Sequence, residues 1–164
     1  MANGVDQSKT ISVEEFERVK RRAEDFYKTI GDVHCPYFKE AVHFNVAGLD
    51  HVKFKDWRKV RSSKDLFMRL KLLHLAPEVI KLSRTVQGIS ETKEFVRRKV
   101  HSRWDTVLTI ITYYEFVAVL ENRRVRVVVR HLAGGEKHFW SIQPFWKEDH
   151  NGRRKLSYGN PATD

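Results

Sequence analysis

The last third of the chain restricts the fold most, because it carries three consecutive segments with strand character. Three runs are rich in β-branched and aromatic side chains: residues 107–120, 124–130 and 137–143. Short polar or glycine-containing segments at residues 122–123 and 133–136 separate them. Strands joined by turns this short pair with their neighbours, so the sequence predicts an antiparallel β-meander.

The first half of the chain predicts helices. Ser12 and Glu15 match a capping box, and apolar residues recur at helical spacing over residues 13–30. Ser63 opens a second periodic segment, and Pro77 marks the first turn of another helix. The predicted fold class is α+β, with N-terminal helices followed by a C-terminal antiparallel β-meander in a single domain.

The length of 164 residues is that of one ordinary domain. We expect residues 1–12 to be disordered, residues 13–146 to form the domain with a core at 37–146, and residues 147–164 to be a polar tail. No stretch approaches the roughly 18 apolar residues of a membrane span, and the N-terminus lacks an apolar signal-peptide core. These features predict a soluble, cytoplasmic protein with no membrane partner.

The formal net charge of +10 favours a polyanionic partner, because a field of that sign attracts polyanions and speeds encounter. Nucleic acid is the commonest such partner, although an anionic membrane or an acidic protein satisfies the same arithmetic. Cys35 is the only cysteine, so no intrachain disulfide can form. No zinc-type Cys/His spacing and no nucleotide, dinucleotide or metalloprotease motif occurs, so we expect neither a metal nor a cofactor.

Histidine, lysine, arginine and serine side chains on predicted strands are the remaining candidates for chemistry. Metal-free RNA cleavage uses such a set: a base takes the proton of the 2′-hydroxyl, an acid protonates the leaving oxygen, and a cation stabilises the phosphorane. Histidine suits the proton transfers near neutral pH, and the planar guanidinium of arginine suits phosphate.

Two segments supply these residue types at strand spacing. The first segment comprises His51, Lys53, Lys55, Arg58 and Arg61. Alternation over residues 51–55 predicts a half-buried strand that presents His51 on the same face as the two lysines.

The second segment comprises Arg130, Lys137, His138 and Ser141. Strict alternation places Lys137 and Ser141 on one face of the predicted strand. It places His138 on the other face, together with Trp140 and Ile142.

Four segments resemble those of a known nuclease superfamily in their order along the chain and in their pattern of residue types. They are Pro77-Glu78-Val79-Ile80, Tyr113-Tyr114-Glu115-Phe116, Arg124-Val125-Arg126-Val127-Val128-Val129 and Lys137-His138-Phe139-Trp140-Ser141-Ile142-Gln143-Pro144. A basic chain with helices leading into such a meander resembles the superfamily that groups barnase, EndoU, the colicin tRNases and the RelE toxins. The likeness is to its small phage- and mobile-element-associated members, and it covers roughly residues 37–146.

This resemblance implies a metal-independent ribonuclease, a toxin or mobile-element protein that acts on RNA and has a cognate inhibitor protein. The candidate catalytic residues are His51, Arg58, Arg61, Arg130, Lys137, His138 and Ser141. The candidate nucleic-acid contacts are Lys53, Lys55, Arg58, Arg61 and Lys137. Two alternatives stay open: a non-catalytic RNA- or DNA-binding module, and a protein-interaction domain for an acidic partner.

Overall fold

The computed structural model describes residues 10–56, 59–145, 147–148 and 154–155. In these residues lie the helices α1 (Val13–Ile30), α2 (Val46–Lys53), α3 (Ser63–Leu72) and α4 (Ala76–Leu82). A short 3-10 helix, Leu73–Leu75, joins α3 to α4. None of the described helices has the length and apolar character needed to cross a lipid bilayer.

Six of the described strands form one sheet. The strands are β1 (Asp32–Cys35), β2 (Glu40–His43), β3 (Phe54–Asp56), β4 (Lys59–Val60), β5 (Gly88–Val100), β6 (Arg103–Leu120), β7 (Arg123–Leu132), β8 (Lys137–Pro144), β9 (Lys147–Glu148) and β10 (Arg154–Lys155). The order in the six-stranded sheet is β1-β2-β8-β7-β6-β5. Strands β3 and β4 form a separate two-stranded ribbon, as do β9 and β10.

The helix starts predicted from the sequence are confirmed. The Ser12 hydroxyl accepts a hydrogen bond from the Glu15 amide at 3.1 Å, which caps α1. The Ser62 hydroxyl accepts one from the Asp65 amide at 3.2 Å, which caps α3. Pro77 lies in the first turn of α4, where its missing amide proton costs no hydrogen bond.

The predicted meander is also confirmed, since β5, β6, β7 and β8 pair antiparallel in sequence order. Glu121 and Asn122 form the turn between β6 and β7, with φ angles of 50° and 58°. Both residues are in the left-handed region that two-residue hairpin turns require. The turn therefore begins one residue earlier than predicted, and Arg123 already belongs to β7.

The prediction that all helices precede the sheet is wrong. Strands β1 and β2 lie between α1 and α2 in the chain, and β2 pairs parallel with β8 at His43 and His138. The sheet is therefore mixed, within a single domain of helices and strands. Each of these two strands has four residues, and their pairing joins segments far apart in the sequence, so no local pattern signals it.

The predicted strand over residues 51–55 is wrong in its first part, because α2 extends to Lys53. The Asn45 side chain accepts a hydrogen bond from the Gly48 amide at 3.1 Å and caps α2. Gly48 is buried at a close crossing of α2 and β8, where an added Cβ would lie 2.3 Å from the Phe139 carbonyl oxygen. The absence of a side chain at Gly48 thus permits close helix–sheet packing.

The helices cover one face of the sheet and form the main core there. Tyr27 of α1 and Leu70 of α3 belong to the same buried cluster as Val127, Val129 and Phe139 of the sheet. Residues of the opposite face form a smaller cluster, which contains the buried side chains Ile111, Tyr113 and Val128. We call this opposite face the second face. Most of the predicted disordered segment (1–12) and of the predicted polar tail (147–164) lies outside the described residues.

Candidate active site

A transverse row of polar side chains crosses all six strands of the sheet on its second face. From β5 to β1, the row consists of Ser90, Tyr113, Arg130, His138, His43 and Asp32. Each is the direct cross-strand partner of the next, and directly paired residues point to the same face of a sheet. Neighbouring strands lie about 4.8 Å apart, so two or three adjacent members of the row, from distant segments of the chain, can contact one small substrate group.

A β-bulge in β8 adds Trp140 to this face. The register shifts where Val128 pairs with Ser141 while Val129 pairs with Phe139, so Trp140 is the extra residue. Trp140 packs against the second-face cluster that contains Val128. Strict alternation is therefore wrong beyond Phe139.

The bulge changes two predicted facings. His138 and Trp140 share the second face, but Ile142 belongs to the helix-side core together with Phe139. Ser141 follows the bulge and pairs with Val128, so it no longer obeys the alternation that placed it with Lys137.

Arg130 is held in the row by two neighbouring aromatic side chains. Its guanidinium carbon lies 4.6 Å from the centroid of the Trp140 ring, a cation–π arrangement, and its Nε donates to the Tyr113 hydroxyl at 3.4 Å. Within the described part of the chain, no carboxylate forms an ion pair with Arg130. A half-buried guanidinium that is oriented but lacks an anionic partner is suited to bind a phosphate.

His138 stands beside Arg130 and is neutral near physiological pH. Its side chain is 7% exposed, and burial together with the nearby Arg130 charge lowers the pKa of His138 to about 4. Its Nε2 atom is buried and has no hydrogen-bond partner among the described residues. His138 therefore adds no positive charge to the row and cannot serve as a proton-donating imidazolium there.

His43 and Asp32 form a histidine–carboxylate pair at the β1 end of the row. The Nδ1 atom of His43 lies 2.6 Å from the Oδ1 atom of Asp32, and its Nε2 lies 3.5 Å from the Glu136 carboxylate. The His43 side chain is 27% exposed, so this imidazole reaches solvent. A carboxylate that accepts the Nδ1 proton orients the ring, as in hydrolase triads. Nε2 can accept a proton from a substrate once the exposed Glu136 carboxylate moves away from it.

His51, one of the catalytic candidates from the sequence, packs behind Trp140 instead of lying in the row. Its ring stacks on Trp140 with centroids 4.0 Å apart, and its Nδ1 lies 3.1 Å from the Trp140 carbonyl oxygen. Only 7% of His51 is exposed. The imidazole projects from α2 and holds Trp140 in place. The prediction that His51 lies on a strand, on the same face as Lys53 and Lys55, is wrong.

Arg61 and Ser141 form buried hydrogen bonds close to His51 and Trp140. Arg61 Nη2 donates to the His51 carbonyl at 2.9 Å, at the end of α2. Arg69 of α3 donates to the Ser141 hydroxyl at 2.6 Å and to the Asp65 carboxylate at 2.9 Å. Arg61 and Ser141 are both buried, so these two candidates hold α2 and α3 against β8 in this structure.

The other candidates lie apart from the row. Lys137 Nζ lies 3.0 Å from the Glu40 carboxylate, and the ammonium group lowers the pKa of Glu40. Lys53 is paired with Glu24 of α1 at 3.1 Å. Lys55 is exposed on the β3–β4 ribbon. Arg58 lies outside the described residues.

Of the seven predicted catalytic residues, the structure brings Arg130 and His138 into the transverse row, with His51 behind Trp140. Sequence reasoning missed Asp32, His43 and Tyr113. The available signal was a histidine at position 43 in a short apolar segment, but its partners depend on the register of β1, β2 and β8. The described residues contain no cluster of three or more His, Cys, Asp or Glu side chains placed to share a metal ion.

Comparison with known proteins found no family model, curated protein or solved structure that matches the chain.

Proposed function

We propose that the protein is a metal-independent ribonuclease and that the transverse row is its reaction centre. The observation that carries this proposal is the placement of Arg130, His138 and His43 on three adjacent strands, with Asp32 behind His43. Arg130 and His43 lie two strand spacings apart, about 10 Å between backbones. A phosphodiester between them can contact the guanidinium on one side and the imidazole on the other.

His43 supplies the base in this proposal. Its Nε2 takes the proton of the ribose 2′-hydroxyl while Asp32 holds Nδ1, and the 2′-oxygen forms a new bond to phosphorus. The bond from phosphorus to the 5′-oxygen breaks, and that oxygen takes up a proton from solvent water, while the His43 imidazolium returns the proton it gained to solvent. The products are a 2′,3′-cyclic phosphate and a 5′-hydroxyl. DNA lacks the 2′-hydroxyl and is not a substrate for this step.

Arg130 stabilises the charge that develops on the phosphorane. The stack on Trp140 and the hydrogen bond to Tyr113 fix the guanidinium before substrate arrives, so little reorganisation is needed in the transition state. Burial raises the pKa of Tyr113, which keeps the phenol protonated. Because His138 is neutral, Arg130 is the permanent cation of the row.

The net charge of +10 supports RNA as the partner, and the resemblance to metal-free nucleases supports the reaction. A ribonuclease of this kind would act as a toxin or mobile-element protein and would need a cognate inhibitor in the cell that makes it.

A second candidate function is RNA binding without cleavage. The observation that favours it is the burial of His51 and His138, each only 7% exposed, which leaves His43, among the described residues of the row, as the one solvent-reaching imidazole beside Arg130 and Trp140. In that case the same arginine binds phosphate, and no group takes a proton from the 2′-hydroxyl.

Incubation of the purified protein with total RNA in EDTA, followed by mapping of the new ends, separates these functions. The proposal predicts cleavage with 2′,3′-cyclic phosphate and 5′-hydroxyl ends. Salt-dependent binding without cleavage would favour the binding function. Cleavage that requires a divalent metal, or that leaves 5′-phosphates, would contradict the mechanism at the row.

A further inference from the structure

The outer part of the β5–β6 hairpin projects beyond the rest of the sheet. Strand β7 pairs with β6 only from Ile111 to Leu120, whereas β5 and β6 stay paired out to Val100 and Arg103. We call residues 93–110 the arm. Apart from the hydrogen bond that the Ala133 amide donates to the Ile110 carbonyl, its two strands pair only with each other in the described residues. On one face Val96 packs against the second-face cluster and Thr109 is buried, so the other face is the open one.

One face of the arm carries a row of exposed apolar side chains. Phe95 and Leu108 are direct cross-strand partners and are 74% and 54% exposed. Ile110 and Trp104 point to the same face and are 42% and 65% exposed. Large apolar side chains grouped on one exposed face are typical of interaction surfaces.

The apolar face of the arm carries cations and no carboxylate, whereas the opposite face carries charges of both signs. Lys93, Arg97 and Lys99 occupy every second position of β5 together with Phe95, so they share the apolar face. The Arg97 guanidinium lies 5.8 Å from the centroid of the Trp104 ring, so this cation borders the apolar row. The two carboxylates of the arm, on Glu94 and Asp105, lie on the opposite face, where Asp105 pairs with Arg98 across the strands.

We infer that this face of the arm docks an amphipathic segment of another protein that presents apolar side chains flanked by carboxylates. The apolar row binds the apolar side of such a segment, and Lys93, Arg97 and Lys99 meet its acidic flanks. The inference does not depend on RNA cleavage, because the arm lies at the opposite edge of the sheet from His43 and Asp32.

The charge pattern disfavours other occupants. A second copy of the chain would place its own Lys93, Arg97 and Lys99 against the same three cations, and like charges in contact repel. Single-stranded RNA would stack on the rings of Phe95 and Trp104, but aliphatic Leu108 and Ile110 offer no stacking surface.

The test uses two designed helical peptides with leucine on one face. The opposite face carries glutamate in the first peptide and lysine in the second. Titration calorimetry with the full chain should give binding of the glutamate peptide and none of the lysine peptide. The double variant Phe95→Thr/Leu108→Thr, which keeps strand propensity, should weaken binding at least about tenfold, as should Arg97→Glu/Lys99→Glu.

Val119→Thr is the matched control, since Val119 is 66% exposed on β6 outside the arm. It should leave the affinity unchanged, and all variants should keep the wild-type circular dichroism. Failure of the glutamate peptide to bind, or equal binding by the arm variants, would overturn the inference. Concentration-dependent dimerisation lost in the arm variants would assign the face to a second copy. RNA or anionic-vesicle binding lost in the same variants would assign it to those partners.

Discussion

The Nδ1 atom of His43 lies 2.6 Å from the Oδ1 atom of Asp32, across the antiparallel pair formed by β1 and β2. This contact follows from a register in which the two residues are direct partners. The Phe44 amide donates to the Gly31 carbonyl at 3.1 Å just beyond them, which closes the pair at the end next to α1. The parallel pairing of His43 with His138 then places this histidine–carboxylate pair beside β8.

Replacement of His51 should affect stability more than chemistry. His51→Ala removes the ring stacked on Trp140 and the contact with the Trp140 carbonyl. We expect a loss of about 1–3 kcal/mol in the free energy of unfolding, measured by urea denaturation. Exposed His74→Ala is the control and should change stability little. A His51→Ala protein with wild-type stability but no RNA cleavage would restore His51 as a proton-transfer residue.

His138 should make the fold sensitive to mild acid. Its pKa falls from 6.5 to about 4 on folding, so the unfolded chain binds the proton more readily between these values. Stability contributed by neutral His138 is present above about pH 6.5 and is lost as the pH falls toward 4, by about 3 kcal/mol in total. Denaturation curves over this range should show a shallower decline for His138→Gln than for the wild type. Parallel declines would contradict the assignment.

Arg130 should contribute a phosphate contact. We expect Arg130→Gln to weaken binding of single-stranded RNA and to reduce the log–log salt slope by about 0.7, the value for one phosphate contact. Arg21→Gln, an exposed change on α1, is the charge-matched control and should leave the slope nearly unchanged. Equal slopes for wild type and Arg130→Gln would remove Arg130 from the interface.

The elements that depend on local pattern could be predicted from the sequence. Ser12 caps α1, and Pro77 begins α4, because capping and proline geometry depend on a few adjacent residues. The meander follows from strand runs joined by short turns. The same reasoning failed at residues 51–53, because an alternation of five residues is too short to distinguish a strand from a helix. Gly48 earlier in that helix is needed because α2 crosses β8 closely at Phe139, which a local pattern does not show.

The transverse row could be predicted only in part, because its geometry is set by strand register. Arg130 and His138 occur in segments with clear strand character, and both were identified. Asp32 and His43 occur in short strands that reach the row through a parallel pairing with β8, almost a hundred residues later in the chain. Trp140 joins the row through a β-bulge, and an alternation pattern does not place such an extra residue.

The central claim is tested most directly by the cleavage rate of RNA in EDTA for the wild type, His43→Ala and His34→Ala. His34 is an exposed histidine on β1 outside the row, so its replacement controls for loss of an imidazole from the same ribbon. General base catalysis contributes about 10²–10⁴-fold, so His43→Ala should slow cleavage by about that factor. The melting temperature and the affinity for RNA should change little, and His34→Ala should cleave at the wild-type rate. Full activity of folded His43→Ala protein would contradict the account.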